Sequence, residues 1–394
     1  MNSASWEVLD LVARWVHVIA GIMWVGNSLL FNWLDRSLVA PQSAPQTKKP
    51  VGTIWLLHSG GFYYVEKTLL EGERVPAPLH WFKWQAYTTW ISGALLLIVV
   101  FYAGGRAALE DPSLNHIAHG TAVMIGIGAI VGARIIYDAV NRFVPAAWYL
   151  WVIPFIAIAI ALVQLLNARA AYVHVGAMLA TIMAGNVFFT IVPSQHALVR
   201  SVEGGAVDAR LSARAKRVSI HNNYFTFPVI ALMLSSHFPA IYGSPYNVEL
   251  LFIIVATGVI VRHILNIRWT FAAWKPALTA SIAASILVMW GFVNFGTSRV
   301  APPVAGAQEP ATFADARHII DRRCAVCHSE RPTDSTFGRM PAGVAFDTPE
   351  QIIARAPRIR ERAFVTSTMP PGNKTGITAA ERALLGEWAL DAKR

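Results

Sequence analysis

Eight apolar segments, each long enough or nearly so to cross a hydrocarbon layer of about 30 Å, constrain this chain more than any other feature. They run roughly over residues 12–34, 85–104, 116–137, 148–166, 172–193, 223–238, 248–265 and 277–296. In lipid, backbone N–H and C=O groups must be satisfied by other backbone groups, and continuous apolar runs of this length do so as helices. Hydrophobic residues make up 55% of the chain, charged residues 14%, and the mean hydropathy is +0.44. These values suit a bilayer rather than water. The expected fold class is all-α: a polytopic membrane helix bundle with lipid as its surroundings. The sixth segment is the weakest, because Pro228 and Pro239 interrupt or bound it.

The net charge of +10 would suit nucleic acid if the basic residues were clustered. They are scattered over short loops instead, so a topological role is expected and no nucleic-acid partner. Loops 35–84, 138–147, 194–222 and 266–276 carry about 14 Lys and Arg, and the alternate loops with the first eleven residues carry about 2. The positive-inside rule therefore places both termini outside. No cleavable signal is expected, since Met1 to Asp10 lacks a basic start and carries Glu7 and Asp10.

Beyond residues 297–311, a Pro- and Ala-rich stretch that reads as a semi-rigid tether, the composition changes. Residues 312–394 contain the only two cysteines, in Cys324-Ala-Val-Cys327-His328. This spacing lets two thiols add to the vinyl groups of a haem while the adjacent His ligates the iron. The competing reading is a partial zinc site, which would need a further ligand such as His318. Haem c is attached outside the cytoplasmic membrane, so the motif places the C-terminus on the side already required by the loop charges.

Phe313 to Arg323 reads as an amphipathic helix leading into the motif. Thr378 and Glu381 form a capping box for a last helix with Leu384, Leu385 and Trp388 on its apolar face. This arrangement resembles small class I cytochromes c, which take their second axial ligand from a Met shortly before the last helix. Met369 fits that place in a proline-stiffened loop, and Met340 is the competitor. The expected metal ligands are His328 and Met369, and the expected covalent sites are Cys324 and Cys327.

Ionisable groups inside spans are expensive and usually functional. The loop-charge orientation sorts the membrane histidines by depth. His17, His116, His119, His174 and His237 fall in the outer half. Arg14, His17, Gly21, Trp24 and Ser28 share one face of the first span, a small and polar stripe open to a flat cofactor. A b-type haem held by two of His17, His119 and His174 is one expectation; hydrogen bonds to other helices are the alternative. On the inner side lie His58, His80, His196, His221 and His263, with Arg134, Asn186, Asn222, Asn223 and Arg262. Such donors would suit a planar anionic substrate, and interfacial anchoring is the plainer alternative. Trp81, Trp84, Trp148 and Trp151 read as an interface belt.

Several ordered stretches carry a family resemblance: Arg14-Trp15-Val16-His17-Val18 with Trp24-Val25-Gly26, His58-Ser59-Gly60-Gly61-Phe62-Tyr63, and Trp81-Phe82-Lys83-Trp84. Further on are Asn186 to Gln195, His221-Asn222-Asn223-Tyr224, and Met369-Pro-Pro-Gly-Asn-Lys-Thr-Gly. Over nearly the whole chain the sequence resembles bacterial membrane-bound urate oxidases, or urate hydroxylases, with a C-terminal cytochrome c domain.

The resemblance implies oxidation of urate to 5-hydroxyisourate, with water supplying the hydroxyl and electrons passing to the chain's own haem c. A downstream acceptor, a terminal oxidase or a soluble cytochrome, would follow. It implies a multi-pass protein of the bacterial inner membrane, with a membrane domain over 1–296 and a periplasmic cytochrome domain over 312–394. His221 and His58 are the candidate general bases, with Asn222 and Asn223 beside them. Two readings from other classes remain: a quinol-dependent electron conduit, and a non-enzymatic haem or copper transporter with a redox domain.

Overall fold

The structure, a computed structural model of the chain, describes residues 3–41, 50–68, 70, 74–103, 106–111, 114–204, 209–299, 311–334 and 340–391. Most of the 297–311 tether lies outside the described residues. Helix α1 (Ser3–Ser37) opens the chain and packs antiparallel to α2 (Trp84–Leu97), which ends in a π turn at Ile98–Tyr102. Between them stands an element that the all-α expectation did not contain, a hairpin of β1 (Pro50–His58) and β2 (Gly61–Thr68). Both strands are rich in β-branched and aromatic residues, which suit a pleated surface. Trp55 faces Tyr64 across the pair, with ring centroids 4.9 Å apart. The two-residue turn places Ser59 and Gly60 at positive φ, the geometry that matches the strand twist.

The short α3 (Arg106–Leu109) precedes α4 (His119–Phe143); a 3-10 turn at Pro145–Trp151 then leads into α5 (Val152–Leu165). Helix α6 (Ala168–Asn186) starts with the Asn167 side chain accepting from the Arg169 N–H at 3.0 Å. It continues through a π turn into α7 (Val192–Gly204). Then come α8 (Ala209–Ser235), α9 (Pro239–Tyr242), α10 (Asn247–Ile267) and α11 (Trp274–Arg299). Among the described residues, seven helices are long and apolar enough to cross a membrane.

The sixth expected segment is not among the seven. It lies on α8, which forms a helix but carries Arg210, Arg214, Lys216, Arg217 and three polar residues at 221–223. Helix α8 is enclosed on two sides, by α6 and α10. Gly258 lets α10 close on it, because a Cβ there would sit 2.7 Å from the Pro228 nitrogen. Helix α6 is the most enclosed element, with Tyr172, Met178 and Ile182 fully buried. Large apolar side chains instead cover the outside of the bundle, such as Ile22 on α1 and Leu287 on α11, each 67% exposed. An outward apolar surface of that extent does not suit water.

The C-terminal part has its own core around Ile320, Ile352, Leu385 and Trp388. Helix α12 (Phe313–Arg323) occupies the expected residues and begins with a capping box of Thr312 and Asp315. After α13 (Pro349–Ala354) and α14 (Ala356–Ile359) comes α15 (Ala379–Asp391), which packs against α12. Its start carries the expected box: Glu381 accepts from the Thr378 N–H at 2.7 Å, and Thr378 Oγ1 accepts from the Glu381 N–H at 3.2 Å. This part rests on the bundle through α3, which meets Pro371–Asn373, and through Gly243, which lies against Thr366 and Thr368.

Candidate functional site

One turn of α8 distributes three consecutive side chains to three neighbours, because successive residues on a helix are about 100° apart. His221 turns to α4 and the 3-10 turn before α5. Its Nδ1 is 2.7 Å from the Tyr137 hydroxyl, and its ring stacks on Trp148 with centroids 4.5 Å apart and planes at 27°. Asn222 turns to α6, where its Nδ2 donates to the Met183 carbonyl at 3.0 Å and its Oδ1 accepts from Asn186 Nδ2 at 2.9 Å. Asn223 turns to α10, and its Oδ1 accepts from Arg262 Nε at 2.9 Å and Asn266 Nδ2 at 2.7 Å.

Asn186 joins the first two directions. It donates from Nδ2 to the Tyr137 hydroxyl at 3.0 Å and accepts at Oδ1 from Arg134 Nη1 at 3.0 Å. Arg134 also donates to the Ile182 carbonyl at 2.8 Å and pairs with Asp138 at 2.8 Å. Arg134, Tyr137, Asn186, His221 and Asn222 are all buried. A polar network this complete inside an apolar bundle is costly unless each member is satisfied. Two nitrogens of the network have no partner among the described residues, Arg134 Nε, which is buried, and His221 Nε2.

Four residues of the expected inner group, Arg134, Asn186, His221 and Asn222, therefore meet in one network, while Asn223 and Arg262 form a separate one on another face of α8. His58 lies elsewhere, exposed at the end of β1. His196 stacks on Trp81, His80 meets Phe82, and His263 pairs with the Tyr224 hydroxyl at 2.8 Å. Tyr137 and Trp148 are the functional candidates that sequence reasoning missed. Tyr137 stands four residues before Asn141 and three after Arg134 on one helix face, a polar stripe that was open to detection.

The outer histidines belong to the other end of α4. Tyr137 follows His119 by 18 residues, on the order of 27 Å of helix. His119 Nδ1 meets Glu110 at 2.5 Å and its Nε2 meets the Tyr102 carbonyl at 2.8 Å. His174 donates from Nδ1 to the Ala170 carbonyl at 2.7 Å and accepts at Nε2 from the Tyr102 hydroxyl at 2.9 Å. His17 Nδ1 is engaged by the Thr89 carbonyl and Ser92 Oγ. A haem held by two imidazoles needs one ring nitrogen from each, and of the three only His17 keeps one without a protein partner among the described residues. The three side chains do not fit a bis-histidine haem b; they hydrogen-bond neighbouring elements, the alternative raised by the residue types.

The C-terminal motif presents different chemistry. His328 donates from Nδ1 to the Val344 carbonyl at 3.0 Å. That bond fixes the ring and leaves Nε2 as the ligating atom. Cys324 and Cys327 are free thiols. Burial pushes the Cys324 thiol up to about 12 and holds the His328 imidazole below its ordinary value. Among the described residues no three His, Cys, Asp or Glu side chains converge as a metal-holding group, so His318 completes no set with the cysteines. The donor set, two neutral thiols and a neutral imidazole with an oriented Nε2, fits haem c. Arg382 clamps the Met369 loop by donating to the Ala363 carbonyl at 2.5 Å, the Met369 carbonyl at 2.7 Å and Asn373 Oδ1 at 3.2 Å. Met340 precedes a separate 3-10 turn at Pro341–Gly343.

The profile of the urate oxidase N-terminal family matches residues 3–293. The chain belongs to this family. The match spans α1 to α11 and includes every member of the α8 network, whereas the Cys-x-x-Cys-His segment lies beyond it. Membership makes the chain a urate-related protein of oxidoreductase type, with urate as the indicated substrate. Neither a curated protein nor a solved structure matches it.

Proposed function

We propose that the protein oxidises urate to 5-hydroxyisourate at the α8 network and delivers the electrons to a haem c on its own C-terminal domain. The observation that carries this reading is the buried Arg134–Asn186–Tyr137–His221 network, which lies inside the family-matched stretch and ends on a ring nitrogen with no partner among the described residues. In the overall change one C–O bond forms between urate and water, and two protons and two electrons leave. Cys324 and Cys327 would hold haem c covalently, His328 and Met369 would be its protein ligands, and the group would supply a one-electron acceptor. His328 is held ready by Val344, and Arg382 holds the loop that presents Met369.

The seven apolar helices together with α8, counted as an eighth crossing between α6 and α10, an apolar outer surface and basic loops on alternate sides support an inner-membrane protein with its termini and cytochrome domain in the periplasm. The network, on the order of 27 Å along α4 from the end beside that domain, would then lie toward the cytoplasm. A terminal oxidase or soluble cytochrome would draw electrons onward.

Urate added to anaerobic membranes should raise the reduced c-type absorbance. Absence of urate-dependent reduction removes the assignment. Reduction by quinol without urate would favour an electron conduit, and reduction by neither would favour a transport role.

A further inference from the structure

The α8 network has a direction, and it follows from two groups that can play only one role each. The Met183 carbonyl can only accept, so Asn222 must offer it Nδ2, at 3.0 Å. The Asn222 oxygen then faces Asn186, which must answer with Nδ2, at 2.9 Å. From the other side, the Arg134 guanidinium can only donate, so the group it meets 3.0 Å away is Asn186 Oδ1. Both ends of the Asn186 amide are fixed independently, and they agree.

Asn186 Nδ2 also donates to the Tyr137 hydroxyl at 3.0 Å. That hydroxyl has one hydrogen of its own, and its remaining partner among the described residues is His221 Nδ1 at 2.7 Å. Nδ1 therefore accepts, and the proton of the neutral ring sits on Nε2. Placing it on Nδ1 would make the phenolic oxygen accept twice and leave its own O–H with no acceptor among the described residues. Trp148, stacked on the imidazole, fixes the ring plane as well.

We infer that Tyr137 is a positioning residue that presents His221 to the substrate as an Nε2–H donor, and that the site takes a planar oxopurine anion through an acceptor atom. This deepens the proposed function and rests on its choice of substrate. It changes the part that His221 plays, because a ring whose outward nitrogen already carries the proton binds and orients an anion and does not remove a proton from it.

The test has two readouts. In the full-length protein with 15N-labelled histidine and no urate, the His221 signals are assigned by their loss in His221→Gln. The wild type should show a protonated Nε2 and a bare Nδ1. Tyr137→Phe should move proton population toward Nδ1, and so should Asn186→Leu, which frees the hydroxyl to accept and serves if the first variant fails to fold. A proton on Nδ1 in the wild type overturns the inference, and so does an unchanged tautomer in both variants.

The second readout is urate-dependent cytochrome reduction. A glutamine at 221 keeps a side-chain N–H, so His221→Gln should stay within about tenfold of wild-type kcat/KM, whereas His221→Phe should lose about a hundredfold, chiefly in KM. Equal losses in the two variants overturn the donor role. If the wild type shows no urate-dependent reduction, the functional reading fails while the tautomer measurement still reports on Tyr137.

Discussion

Gly185 lies directly beneath the Arg134 guanidinium: a Cβ added to Gly185 would stand 2.6 Å from Arg134 Cζ and 2.7 Å from Nε. The missing side chain on α6 gives an arginine from α4 room to lie against the helix and reach both the Ile182 carbonyl and Asn186. Gly185→Ala should therefore displace the guanidinium, as overpacking in a filled interior costs about 1–3 kcal/mol. The expected result is a lower melting temperature together with a several-fold loss of urate-dependent reduction. Unchanged values of both would show that Arg134 is not held by this contact.

The partners of His119 and His174 make a prediction about haem content. With both ring nitrogens of each engaged by Glu110, Tyr102 and Ala170, pyridine haemochrome spectra should show c-type haem alone. His174→Gln should leave that spectrum unaltered. A b-type band that disappears in this variant would reverse the assignment.

Met369 and Met340 can be separated by spectrum. Met369→Ala should alter the visible spectrum of the ferric haem while leaving covalent attachment at Cys324 and Cys327 intact. Met340→Ala should leave the spectrum as it is. The reverse pattern would transfer the axial role to Met340.

The C-terminal domain should be sensitive to acid through Glu381. Its carboxylate is partly shielded from water, which by itself raises the pKa, but hydrogen bonds from the Thr378 N–H and from Arg323 outweigh this and hold it below the ordinary value. A carboxylate lowered in the folded state stabilises it above the unfolded value, about 4.3. The contribution fades as pH falls through the lowered folded value. Glu381→Gln should cost about 1–2 kcal/mol at neutral pH, and the difference from wild type should shrink in acid. A pH-independent difference would assign the loss to packing.

The contact of Gly243 with the C-terminal domain is equally tight. A Cβ at Gly243 would meet Thr368 Cγ2 at 2.5 Å and Thr366 Cβ at 2.9 Å. Gly243→Leu should lift the Met369 loop from the bundle, slowing urate-dependent reduction and exposing the loop to protease while leaving the spectrum of the haem unchanged. Wild-type rates would show that the contact is dispensable.

The sequence made the helices legible wherever apolar runs were continuous, because lipid leaves few other ways to satisfy the backbone. It under-reported α8, whose polar turn at His221-Asn222-Asn223 depresses the hydropathy that would mark it. The cost of that turn is met by Asn186, Tyr137 and Arg262 from helices distant in sequence, and no local pattern records those bonds. The β1–β2 hairpin was hidden by the habit of reading a polar-flanked segment between spans as loop, although the runs on either side of Ser59-Gly60 are strand-like. Trp148 had the composition of an interface residue and the position of one. Only the fold shows that its ring lies on His221. His58, equal to His221 on residue type, parts from it because a hairpin end is open and a helix packed on two sides is not.

The Gly243 contact has a consequence for how the two domains work together. Two surfaces joined by a short tether meet at an effective concentration in the millimolar range, far above that of separately made proteins. An interface of a glycine turn against a threonine pair, with α3 against Pro371–Asn373, too small to hold independent partners, is then enough to keep the C-terminal domain seated. Release and exchange with a downstream carrier need cost only the breaking of that small contact, so the same joint can serve as both anchor and swivel.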